Sequence, residues 1–127
     1  MVINASTPKA KGLAASYYFA KDLDRATAFY KELFGFEPSM AVPGMVSEWT
    51  FPTGESFGIY KPHDEGSFKT SHGLIFEFDD VAAAVAGHKA RGVEFEEDGK
   101  IEETPACFMA FAKDTEGNEF ILHTRKG

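Results

Sequence analysis

The sequence predicts an α+β fold in which one βαβββ unit is written twice within a single domain, residues 1–127. Three observations lead there. Two helix-period apolar stripes, Ala26, Phe29, Tyr30, Leu33 and Val81, Ala84, Val85, His88, each follow an aspartate and stop at a glycine. The spacing repeats: Asp22 to Gly35 is 13 positions and Asp79 to Gly92 is also 13. Each helix is preceded by one strand-like segment and followed by three, and the last strands of the halves are alike, TGESFGIY against EGNEFILH. A chain of this length fits one domain and buries roughly two-thirds of its unfolded surface.

The first unit covers residues 13–61. It opens on an aromatic-rich strand within LAASYYF, and Asp22 can cap the helix that follows. Three short strand candidates, EPSMAVPG, VSEWTFPTG and SFGIYKP, are then punctuated by Gly and Pro. A linker lies near HDEGSFKTS. The second unit covers residues 72–125. HGLIFEF alternates Leu74, Phe76 and Phe78 against Gly73, Ile75 and Glu77, as a two-faced strand does. Asp79 and Asp80 offer the second cap, and EFEEDGKI, CFMAFAK and EFILHTR are its three later strands. The acidic run EFEEDGKIEE reads as a solvated hairpin. FAKDTEGNEFILH reads as strand, tight turn and strand, because Asp114 and Asn118 can bond their own backbone and Gly117 can take a positive φ.

Net charge is −7, and the basic residues are scattered among acids. A nucleic-acid binder needs a basic stripe, and an anionic membrane attracts basic clusters, so neither partner is expected. No apolar run is long enough to span a membrane, and MVINASTPKAK has no apolar leader core. The single cysteine, Cys107, forms no intrachain disulfide and fits a reducing cytoplasm. The 13 Phe, 4 Tyr and 1 Trp either fill a thin core or line a cavity.

The pairing of DLDRATAFYKELFGF with a later DTEGNEFILH resembles the vicinal oxygen chelate superfamily, over Leu13 to Arg125. That superfamily includes glyoxalase I, extradiol dioxygenases and the bleomycin- and fosfomycin-resistance proteins. The resemblance implies two βαβββ modules whose curved mixed sheets surround a shared cleft, and a homodimer. Metal-dependent members place ligands on the first and last strand of each module. By motif those positions fall here on Ala15, Gly58, Gly73 and Ile121, none of which offers a donor atom from its side chain. If Asp79 rather than Asp80 matches Asp22, His72 replaces Gly73, but His72 shares the parity of the core-facing Leu74 and Phe76. No metal and no cofactor is therefore expected.

If those positions face the cleft, strand alternation brings Tyr17 and Phe19, Tyr60, Ile75 and Glu77, and His123 to the same side. Tyr17 and Phe19 could equally be core. Trp49 could stack on a flat ligand or pack. Cys107 and Met109 share the parity of Phe111 and join the ligand-binding candidates, although Cys107 reads first as a small buried hydrophobe. Glu77 is either solvated at a sheet edge or held in a pocket. Buried without a cation, its pKa would rise and it could accept a proton near neutrality, with His123 as partner. His63 and His88 read as surface residues.

Three functions compete. One is a binding protein for a small aromatic molecule in an apolar cleft. Another is a divalent-metal lyase or dioxygenase using His72, Glu77 and His123 in a shifted register. The third is a metal-free enzyme with Glu77 or His123 as its base.

Overall fold

A computed structural model describes residues 7–127; the segment MVINAS, part of the stretch read above for a leader, lies outside them. The element order is β1 (Ser16–Phe19), α1 (Leu23–Phe34), β2 (Met40–Val42), β3 (Val46–Thr50), β4 (Ser56–Tyr60), then β5 (Leu74–Glu77), α2 (Val81–Ala90), β6 (Glu94–Phe95), β7 (Glu102–Glu103), β8 (Cys107–Lys113) and β9 (Glu119–Arg125). One sheet runs β1-β4-β3-β2. The other runs β5-β9-β8-β6, with β7 also on β8. The pairs β1·β4 and β5·β9, each at one end of its sheet, are parallel and the remaining pairs antiparallel. No helix among the described residues is long and apolar enough to cross a membrane.

Both helices start where an aspartate can cap them. The Asp22 side chain accepts from Arg25 N, and Asp80 accepts from Ala83 N. Asp80, not Asp79, is thus the counterpart of Asp22, and α2 is two residues shorter than α1. The equal 13-residue spacing is not an equality of helices. The EFEEDGKI segment is also not one strand. After β6 the chain turns at Glu97 and Asp98, which have φ of 48° and 59°, and Lys89 Nζ holds Asp98 at 2.9 Å. It returns as β7, so β6 and β7 pair separately along β8.

The two modules share one core. Phe76 from β5 lies 5.2 Å from Phe57 of β4 and 5.0 Å from Phe34 of α1, both edge-on. Tyr30 of α1 meets Phe120 of β9 at 6.2 Å. Such pairs contribute about 0.5–1.5 kcal/mol each beyond the area they bury. Phe29, 34, 36, 51, 57, 76, 78, 95, 108 and 120 sit in this core or against it. Four of the 13 Phe are therefore buried in the core and six more pack against it, which answers most of the aromatic excess.

A buried polar lock joins the modules at the β8–β9 turn. Asp114 accepts from the backbone N–H groups of Glu116 (2.8 Å) and Asn118 (2.9 Å), and from the Tyr30 hydroxyl at 2.5 Å. Gly117 has a φ of 85°, which an L side chain adopts only with strain. Asn118, fully buried, donates to the Phe19 carbonyl and accepts from Ser71 N. Glu116 accepts from Lys21 N (2.8 Å), Asp22 N (2.9 Å) and Arg25 Nε (2.9 Å) at the start of α1. Tyr18 adds a fourth link, donating to the Glu119 carbonyl and accepting from Leu74 N. Each buried polar group here has a partner, which is the condition for burying it at modest cost.

Candidate functional site

Strand alternation divides each sheet into two faces. Tyr18, Trp49, Phe57 and Ile59 point at the helices and are buried. Their neighbours point the other way, onto a face that no helix among the described residues covers. Tyr17, Gly58, Glu48 and Met40 form one row across the first sheet, and Phe19, Tyr60, Val46 and Val42 the next. The second sheet presents Ile75, Ile121 and Phe111 in one row and Glu77, His123 and Met109 in another. Four of the large apolar side chains most exposed to solvent, Tyr17, Met40, Val42 and Ile75, lie on this face.

Two of the motif-matched positions, Gly58 and Ile121, occupy this face, and none of the four carries a side-chain donor. Gly58 stands beside Tyr17 in the parallel pair, as Ile121 stands beside Ile75. The Asp80 cap fixes the register, so Gly73 is the counterpart of Ala15 and the exposed His72 is not. Among the described residues, no three His, Cys, Asp or Glu side chains come together to hold a metal ion. The residues present do not fit a metal.

Gly58 is more than an empty position. A β-carbon built there would lie 2.5 Å from Tyr17 Cε2 and 2.9 Å from the Ser47 carbonyl oxygen. The Tyr17 ring crosses the strand through the space a side chain would need, and its hydroxyl donates to Glu48 on β3. Partial burial and the adjacent Glu48 carboxylate push the Tyr17 hydroxyl pKa up to about 12, so the phenol keeps its proton.

Glu77 and His123 meet as neighbours across β5 and β9, with Oε1 to Nδ1 at 2.5 Å. Glu77 Oε2 also accepts from Arg125 N at 2.9 Å. The Glu77 side chain is 56% exposed and that of His123 only 14%. What burial there is pushes the carboxyl pKa upward. The Arg125 N–H and the His123 ring outweigh it and hold Glu77 below the usual carboxylate range. The condition for a raised pKa, burial without a partner, is not met here. Changing His123→Gln should move the Glu77 pKa back toward 4.5, read by carboxyl-carbon NMR across an acid titration.

Trp49 and Cys107 both take their packing alternative, and one expectation, for His88, changes. Trp49 is fully buried on the helix side, donating its indole N–H to the Phe36 carbonyl at 2.9 Å, so it is absent from the open face. Cys107 has the open-face parity but is buried, with Thr104 Oγ1 3.2 Å from its sulfur. His88 is half-buried, not a surface residue; burial and the Arg91 charge lower its pKa, and Arg91 Nε donates to its Nδ1. His63 is exposed. Glu48 was missed, although alternation within VSEWT places it opposite Trp49, on the side of Gly58.

A surface pocket of about 530 Å³ lies on the other side, between α1, the segment after α2 and the β8–β9 turn. Four of its charged walls are engaged elsewhere, Arg25 with Glu116, Asp114 with Tyr30, Arg91 with His88 and Glu94 with Lys113, while Glu32 has no ion pair among the described residues. The sheet face carries the unsatisfied apolar surface and is the better candidate.

The sequence pattern of the Glyoxalase/Bleomycin resistance protein/Dioxygenase superfamily matches residues 13–122. No curated protein matches the chain. Among solved structures, the chain is similar to TnmS3, an antibiotic binding protein from Streptomyces sp. CB03234. Identity is 22%, coverage 94% of this chain and 100% of that one, and the TM-score 0.77. It is also similar to a lactoylglutathione lyase from Agrobacterium tumefaciens (19% identity, 91% and 95% covered, TM-score 0.73). A third is a glyoxalase/bleomycin resistance protein from Albidiferax ferrireducens T118 (22%, 90% and 98%, TM-score 0.71). With a βαβββ module, a second module in which the first strand after the helix is split into β6 and β7, a shared core and the family pattern over residues 13–122, the chain belongs to the glyoxalase/bleomycin resistance protein/dioxygenase superfamily.

Proposed function

We propose that this protein binds a small, flat, aromatic organic molecule on the open sheet face, without a metal, as a homodimer in the cytoplasm. The observation that carries the reading is the face itself. Tyr17, Phe19 and Tyr60 lie on the side of the first sheet turned away from the helices, and Ile75, Met109, Ile121 and His123 on the corresponding side of the second, where Gly58 and Ile121 offer no metal donor. A small-molecule site buries most of its ligand, and a single open face cannot. A second copy would supply the opposing wall and cover the exposed Met40, Val42 and Ile75. The fold also carries an antibiotic binding protein, TnmS3, which supports a binding role.

The test is an amide NMR titration of chelator-treated protein with a panel of aromatic metabolites and antibiotics. Shifts are expected at Tyr17, Ile75, Phe111, Ile121 and His123. No shift with any compound, or shifts confined to the pocket between α1 and the β8–β9 turn, would count against the reading. Sedimentation of the same sample should give the mass of two chains.

The 2.5 Å Glu77–His123 pair favours one second reading, a metal-free enzyme in which His123 exchanges a proton with a bound substrate and Glu77 orients the ring. Under that reading His123→Gln binds the ligand but abolishes its turnover.

A further inference from the structure

Resting on the binding role proposed above, we infer that Tyr17 and Glu48 form its polar anchor and select a flat aromatic molecule carrying a positively charged nitrogen. The row Tyr17–Gly58–Glu48 spans three adjacent strands. Because position 58 has no side chain, the Tyr17 ring crosses the middle strand and its hydroxyl reaches Glu48 Oε1 on the third. Tyr17 remains 40% exposed, which leaves an aromatic ligand a surface to stack on.

The tyrosine occupies only one carboxylate oxygen. Among the described residues, Glu48 Oε2 has no hydrogen-bond partner and Glu48 has no ion pair. Glu77 on the same face differs: its two oxygens are taken by His123 and by Arg125 N. Glu48 therefore offers an oriented, negatively charged acceptor beside an exposed aromatic ring. The phenol donates to it, since a carboxylate oxygen can only accept. The complementary ligand presents an aromatic plane to Tyr17 and an N⁺–H to Glu48, a charge-assisted hydrogen bond. The net charge of −7 attracts cations to the protein in general. Glu48 and Tyr17 would convert that attraction into a site.

The experiment compares proflavine, a flat tricyclic cation at neutral pH, with anthracene-9-carboxylate, a flat tricyclic anion. Both are titrated calorimetrically into the full chain. Wild type is expected to bind proflavine at least about tenfold more tightly, the effect of one charge-assisted hydrogen bond. Glu48→Gln should abolish that preference, and Tyr17→Phe, which frees the carboxylate but removes its orientation, should reduce it. Glu37→Gln, which removes the same charge at the far end of α1 where Glu37 pairs with Lys31, should leave it unchanged. Thermal melts confirm that each variant is folded. If both dyes bind on the face with equal affinity, or Glu48→Gln and Glu37→Gln behave alike, the anchor is wrong while the binding role stands. If neither dye binds and no compound of the aromatic panel does, both fall.

Discussion

Replacing Glu116 with alanine should lower the unfolding free energy by about 3 kcal/mol, the range for removing one partner of a buried ion pair. The Glu116 side chain has no solvent exposure, while Arg25 is 53% exposed. Most of the loss therefore comes from what the carboxylate leaves behind. Lys21 N and Asp22 N lose their acceptor, and the start of α1 loses an anion at its positive end. Denaturant unfolding of wild type and variant measures this directly. The acid limb gives a second reading. Burial raises the Glu116 pKa, but hydrogen bonds from Asp22, Arg25, Thr115 and Lys21 outweigh it and hold it below its ordinary 4.5. A depressed folded-state pKa stabilises above the unfolded value, and that contribution is lost as pH falls through the folded value. Glu116→Gln should accordingly flatten the fall in stability below pH 4.5.

Trp49→Ala should cost about 3–5 kcal/mol, the range for a large aromatic removed from a packed core. Its ring lies 5.5 Å from Phe34 and 6.4 Å from Phe57, and its N–H would leave the Phe36 carbonyl without a donor. Ligand affinity in the fraction that remains folded should not change, because Trp49 points away from the open face. Tyr17→Phe should do the reverse, with little effect on the melting temperature and a clear one on binding. A Trp49 variant that folds normally but no longer binds would reverse this division of the sheet.

The fold was legible because its signals are local. Asp22 and Asp80 cap their own helices, and alternation in LIFE and CFMAFAK states which residues share a face. Once one residue per strand was assigned to the open side, Tyr17, Tyr60, Ile75 and His123 followed. What the sequence hid depends on partners distant along the chain. Asp114 and Asn118 read only as a tight turn bonding its own backbone, because nothing in TEGN announces Tyr30, Phe19 or Arg25. Trp49 was ambiguous because an indole serves equally in a core or on a surface. Its neighbour Glu48 could have settled the matter, since a carboxylate beside it in the strand has to take the solvent side. The EFEEDGKI segment failed as one strand because Asp98 can adopt a left-handed backbone and Lys89 pins it there.

The central claim is that ligand recognition on the open face depends on aromatic and carboxylate side chains and not on a bound ion. Elemental analysis of protein purified without chelator, alongside ligand titration before and after chelator treatment, tests it most directly. Substoichiometric divalent metal and an unchanged affinity are expected. One tightly held divalent ion per chain, with binding lost on its removal, would contradict the claim.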